Sequence, residues 1–201
     1  MDFQSLRLKA TDSLVFRYQD VLKWFPKDNE GTIKQNLKFW TKKGWLERII
    51  KGVYKFKEKE IKEEFFLSSF FDQNSCVSLE SALSFYGMIP EYPYAITAVT
   101  TNKTKKLKTK YGVFLYRKIK TDLFFGFKNV SYDNFFYRIA TSEKALFDFI
   151  YFNQRQIKDG SYFEEMRLNF PKDFLWKKFL SWLSLIKNKN LISYLKNYAY
   201  Q

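Results

Sequence analysis

The chain has 201 residues, 46% hydrophobic and 21% aromatic, which is enough apolar surface to bury a core and too much for a disordered chain. Lysine and arginine number 35 against 21 aspartate and glutamate, a formal net charge of +14, with one cysteine and no histidine. That excludes an internal disulfide, the usual zinc sites and histidine-based catalysis. The charge has two readings, a surface that attracts polyanions or lysine-rich coding on a solvated exterior.

The first segment runs to about Phe56. Phe3, Leu6 and Ala10 mark an amphipathic opening helix, followed by Leu14-Val15-Phe16. A short helix is predicted from Tyr18 to Trp24, stopped by Pro26. After the turn-rich Lys27 to Gly31, Thr32-Ile33-Lys34-Gln35 has the form of a capping box. The helix it opens runs to Lys43, with Gly44 as a left-handed stop and Ile33, Leu37 and Trp40 spaced as one buried stripe. Trp45 to Ile50 and Val53 to Phe56 read as strands joined by Lys51-Gly52.

Helix, short helix, helix and basic hairpin is the order of a winged helix-turn-helix. In that motif Lys34, Gln35, Lys38 and Lys42 lie off the buried stripe, and Arg48 and Lys51 lie on the wing. Lysine suits phosphate or guanine and glutamine suits adenine edges. Residues 1 to 57 hold 13 Lys+Arg against 6 Asp+Glu, a net +7. The same elements with a basic face also serve as protein-docking modules, so the pattern leaves both partners open.

The second segment opens on the charge run Lys57 to Glu64, either a linker or the start of a helix ending near Phe71. Ser78 can cap a helix from Leu79 to Tyr86, closed by Gly87 and Pro90. Ala95 to Thr100, Val113 to Tyr116 and Phe135 to Ile139 read as strands. Thr141 can cap a helix from Ser142 to Tyr151, with Ala145, Leu146, Phe149 and Ile150 inward. Between the first two strands, Lys103, Lys105, Lys106, Lys108 and Lys110 form either a solvated hairpin loop or a second basic surface. From Phe163 onward the tail reads as mostly helical, with a turn at 187–190 and a last amphipathic stretch over 191–198.

Chemistry is hard to find. No glycine-rich phosphate loop exists, and the serines have no partner base in the sequence. Glu60-Ile61-Lys62 has the Glu-x-Lys form of some nucleases without the acidic strand motif that would supply the other metal ligand. No stretch approaches about 18 apolar residues, and the start has no basic-then-apolar leader pattern. With Cys76 in an apolar context, a reducing, cytoplasmic location is expected.

Three ordered motifs carry a resemblance. They are Val77-Ser78-Leu79-Glu80-Ser81-Ala82-Leu83 through Gly87 and Ile89-Pro90, then Ile96-Thr97-Ala98-Val99-Thr100, then Ile139-Ala140-Thr141-Ser142-Glu143-Lys144-Ala145-Leu146 through Asp148. Together with Gly52-Val53-Tyr54 they resemble the AbiEi family of antitoxins over about residues 5 to 152. The resemblance implies a type IV toxin–antitoxin (abortive infection) system. Its antitoxin has an N-terminal winged helix that binds inverted repeats in its own promoter, and a C-terminal domain that counters a nucleotidyltransferase-like toxin. No catalytic residue carries over from it.

The expected fold is therefore α+β: a winged helix over 1–57, then a mixed α/β domain over 58–201 whose residues 152–201 are a mostly helical extension. The expected partners are double-stranded DNA and the toxin, with no membrane, cofactor or metal. DNA contacts are expected from Lys34, Gln35, Lys38, Lys42, Arg48 and Lys51.

Overall fold

A computed structural model of the chain describes residues 1–132, 134–157, 161–186 and 192–196. The chain is mixed α+β and divides into two compact units, residues 1–63 and 64–201. No described helix is long and apolar enough to cross a membrane.

The N-terminal unit runs α1 (Phe3–Lys9), β1 (Phe16–Arg17), α2 (Tyr18–Trp24), α3 (Glu30–Lys42), β2 (Leu46–Ile50) and β3 (Val53–Phe56). The expected order of helices and hairpin is present with one addition. The short β1 pairs antiparallel with β3, making a three-stranded sheet in the order β1-β3-β2. Gly52 turns the hairpin at φ +78°, a backbone conformation that glycine adopts without penalty. Leu6, Val21, Ile33, Leu37, Trp40, Leu46 and Phe56 form the core, and each fully buried aliphatic side chain stabilises it by about 1.5–3 kcal/mol.

The start of α3 differs from expectation. The Asn29 side chain accepts the Gly31 amide at 2.7 Å, so the helix begins at Glu30 and Thr32 is already inside it. Asparagine caps at least as well as threonine, and the earlier residue won.

The C-terminal unit contains α4 (Glu64–Phe71), β4 (Ser75–Val77), α5 (Leu79–Phe85), β5 (Ala95–Thr100), β6 (Lys105–Thr109) and β7 (Gly112–Lys118). Then follow β8 (Phe127–Tyr132), β9 (Phe135–Ala140), α6 (Ser142–Asn153), α7 (Ser161–Glu165) and α8 (Trp176–Trp182). Six strands form one sheet in the order β6-β7-β5-β4-β9-β8. The pairs β5–β7 and β4–β9 are parallel and the others antiparallel. Side chains alternate across a strand. Phe114 and Tyr116 of β7 meet α4, at Phe71 and at the Ser68 carbonyl. Arg117, on the opposite face, meets Phe152 of α6. Helix α4 therefore covers one face, and α5 with α6 covers the other.

The basic stretch after β5 is not a loop. Because β5 and β7 run parallel, the chain must reverse between them, and Lys105–Thr109 does so as edge strand β6, hairpinned to β7 through Lys110-Tyr111. Lysines on an edge strand discourage pairing with another sheet, which accounts for their place there.

Most polar residues of the three ordered motifs are internal. Ser78 does not cap α5; its hydroxyl donates to Asp148 Oδ2 at 2.7 Å instead. Asp148, 0% exposed, also pairs with Lys144, 1% exposed, one turn back on α6. The Lys144 stem passes Gly126, where an added Cβ would sit 3.1 Å from Lys144 Cβ. Its ammonium lies 5.0 Å from the Phe125 ring and 5.2 Å from Phe147. Thr141 caps α6 as expected, accepting from the Lys144 amide, while its hydroxyl donates to Glu143 at 2.6 Å. Glu143 also accepts the Leu175 amide at 3.0 Å, which ties the helical extension to α6. The turn expected at 187–190 lies outside the described residues, as do both ends of the stretch expected over 191–198.

Candidate nucleic-acid interface

Helix α3 is anchored on one side and open on the other. Ile33 and Leu37 are fully buried and Trp40 nearly so, packed against Phe3 at 5.2 Å between ring centroids. Asn36 donates to the Met1 carbonyl at 3.0 Å, fixing the rotation of the helix about its axis. Among the outward residues are Lys34, Gln35, Lys38 and Lys42, all exposed. Lys34, Lys38 and Lys42 follow one another at i, i+4 and i+8, a row about 12 Å long at the helical rise. That is close to the width of a DNA major groove.

The row is not uniform. Lys34 is 63% exposed and lies 3.5 Å from Glu30, with its ammonium 5.4 Å from the Tyr18 ring. The Tyr18 phenol, which donates to the same Glu30 carboxylate at 3.2 Å, and then Glu30 itself push the Lys34 ammonium up from its ordinary value. Lys34 thus has a local acidic partner, whereas among the described residues Lys38 and Lys42 have none.

The hairpin supplies two further cations. Arg48, exposed on β2, faces Tyr54 across the ladder, just before a register shift between Arg48 and Ile50. Burial pushes the Tyr54 phenol up, and Arg48 beside it pulls partly back. Lys51 is exposed at the tip. The Gly52 carbonyl accepts the Tyr18 amide at 2.8 Å, so the tip is tied to the start of α2.

Two other basic residues of this unit, Lys55 and Lys59, are structural. Lys55 is buried, 3.7 Å from Glu47, and its ammonium donates to the carbonyls of Phe56, Lys57 and Lys59. Lys59 donates to the carbonyls of Thr11 and Ser13 at 2.7 and 2.9 Å. A count of charges in the sequence could not separate these staples from the surface cations.

The second basic stretch divides in the same way. Lys103, Lys106, Lys108 and Lys110 are exposed. Lys105 turns inward, 3.0 Å from Asp72 and 4.7 Å from the Tyr116 ring. Asp72 is buried, which alone would raise its carboxyl. Hydrogen bonds from Lys105, Asn102 and Thr100 overcome that and hold it below the ordinary carboxylate value. Lys105 is therefore the half-buried partner of a buried carboxylate, apart from its four neighbours.

No protein-family model matches the chain, and no curated protein matches it.

Sequence reasoning missed Phe39, which is half exposed on α3 with the Lys43 ammonium 5.7 Å from its ring. Its position off the Ile33-Leu37-Trp40 stripe was the available signal. Glu60 and Lys62 lie exposed in the irregular segment before α4. Among the described residues no cluster of three His, Cys, Asp or Glu side chains could hold a metal. Burial lifts the Cys76 thiol far above its ordinary range, the opposite of a reactive thiolate.

Proposed function

We propose that this chain is a DNA-binding autorepressor and antitoxin of a type IV toxin–antitoxin operon. In this reading residues 1–57 act as a winged helix and the C-terminal unit counteracts a nucleotidyltransferase-like toxin. The observation that carries the DNA half is the exposed row Lys34, Lys38 and Lys42, with Gln35 beside it, on a helix whose other face is locked in the core. The antitoxin half is supported by the ordered motifs from Val77 to Asp148 that resemble AbiEi antitoxins.

A gel-shift with the DNA upstream of the protein's own gene tests it. Five cations, Lys34, Lys38, Lys42, Arg48 and Lys51, each on one phosphate, give a log–log salt slope of about −4.5. Replacing both Lys34 and Lys38 with glutamate abolishes the shift while the circular dichroism spectrum stays unchanged. Affinity equal to the parent's in that variant refutes the assignment.

A second reading has its own observation. Phe39 is 51% exposed on α3, and an exposed aromatic beside lysines also suits a protein groove. There the unit is an interaction module that neutralises an acidic partner or the toxin directly. Co-purification of a stable complex that survives Lys34→Glu but not Phe39→Ala, with no DNA binding, favours it.

A further inference from the structure

The C-terminal unit holds a cavity that the proposed function does not use. Its volume is about 380 Å³, within the range in which proteins bury small organic ligands. The floor is the face of the sheet that α5 and α6 cover, at Ala95, Thr97 and Leu115. Ile89, Phe149 and Met166 close it from the loop after α5, from α6 and from the segment after α7. The one polar group of the floor is already satisfied. The Thr97 hydroxyl donates to the Ser78 carbonyl at 2.8 Å and accepts the Ser81 amide at 3.0 Å.

Charge enters at two carboxylates, Glu91 and Glu80. Glu91, in the loop after α5, lies 3.9 Å from Arg167. Glu80 of α5 lines the cavity half-buried, and among the described residues it makes no hydrogen bond or ion pair. The neighbouring cation, Arg117, feels the Glu80 charge but forms no direct ion pair with it. Arg117 lies 4.2 Å from the Phe152 ring and donates to the Phe152 carbonyl at 3.4 Å. The unit's buried carboxylates, Asp72, Glu143 and Asp148, are by contrast each paired with a lysine. A carboxylate set against apolar walls gains most from a cation brought to it out of water. At the mouth, Tyr94 is 81% exposed, and its ring can face a cation as well.

We propose that this cavity binds a small organic cation: a primary amine on an aromatic or aliphatic body. The body lies on Leu115, Phe149 and Met166, and the ammonium pairs with Glu80. The inference runs against the charge of the chain as a whole, which favours anions, and it stands independently of the DNA-binding reading.

Isothermal titration of the full chain with tyramine tests it, with hydroxyphenylpropionate as a probe of matched shape and opposite charge. Tyramine binds saturably at one site, and the acid binds at least about tenfold more weakly, the scale of one charge-assisted contact of about 1.4 kcal/mol. Glu80→Gln removes the charge at constant volume and weakens tyramine about tenfold. Leu115→Trp fills the cavity and removes binding altogether. Equal affinity for the amine and the acid overturns the proposal, as does tyramine binding that survives Leu115→Trp or no saturable binding at all. Should Glu80→Gln fail to fold, the amine-to-acid ratio and the Leu115 variant still decide it.

Discussion

Replacing Lys144 with methionine keeps the stem against Gly126 and removes only the charge. Among the described residues, Asp148 is then left fully buried with a single hydrogen-bond donor, Ser78. Breaking a buried pair in this way destabilises a protein by about 3–5 kcal/mol. The structure sets a ceiling, because the carboxyl can escape by binding a proton. Burial already raises Asp148 from its ordinary 3.8, with Lys144 and Ser78 opposing the rise, and the substitution removes the larger opposition. Keeping a carboxyl of ordinary value 3.8 protonated costs about 1.4 kcal/mol per pH unit above it, hence about 4 kcal/mol at pH 7 and about 1.6 kcal/mol at pH 5. The sign is opposite to that of a surface salt bridge. A raised carboxyl binds its proton more tightly in the folded state, so the variant recovers stability as pH falls from 7 towards 4 and loses it as pH rises.

Cys76 supplies the assay. It is the only thiol in the chain and is buried in β4, so its labelling by a disulfide reagent in rising urea reports on the opening of the C-terminal unit alone. The variant's midpoint falls markedly at pH 7 and much less at pH 5, and adding Asp148→Leu restores most of the loss. A destabilisation under about 1 kcal/mol at pH 7, or one that does not shrink at pH 5, refutes the account of this pair.

Gly126→Ala places a Cβ 3.1 Å from Lys144 at a φ of +69°, and calorimetry should show a loss of about 1–3 kcal/mol, whereas an unchanged melting temperature refutes the close approach. Glu143 is the acid-sensitive tie: burial alone would raise it, but the Thr141 hydroxyl, the Leu175 amide and Lys178 hold it below its ordinary 4.5. Its contribution is present above that value and is lost as pH falls through the depressed one. Acid should therefore expose the backbone amides around Leu175 to hydrogen exchange before those of α6, and Glu143→Gln should show that exposure already at pH 7.

The helices were readable because their apolar spacing and caps are local. Ile33, Leu37 and Trp40 defined α3, and Thr141 with Ala145, Leu146, Phe149 and Ile150 defined α6. The short strands were not. Phe16–Arg17 and Ser75–Val77 are too brief to show a period, and their identity depends on partners far along the chain. Strand β6 carries lysine at three of its five positions, and lysine has little preference for strands, so nothing in its composition marked it. At the candidate site, exposure followed from helical phase alone, which is why Lys34, Gln35, Lys38 and Lys42 all emerge on the open side. What phase could not show is which lysines have internal work. Lys55, Lys59 and Lys105 look like surface cations in the sequence and act as ties in the structure. Ser78 shows the same limit: before a helix it reads as a cap, and only the approach of α6 turns its hydroxyl to Asp148.

The parallel bond between Val77 and Ile139 also sets an order of events during synthesis. All core residues of the N-terminal unit have been made by Phe56, so that unit can close while the rest of the chain is still on the ribosome. The C-terminal sheet has no such early stage. Its inner strand β4 lacks one neighbour until Ile139 emerges, and Glu143 has no Leu175 amide to accept until later still. At about 5–20 residues per second, Phe66, Leu67 and Cys76 stay uncovered for seconds. A chain interrupted just after residue 63 releases a finished N-terminal unit; one interrupted before Ile139 releases that unit tethered to an open sheet.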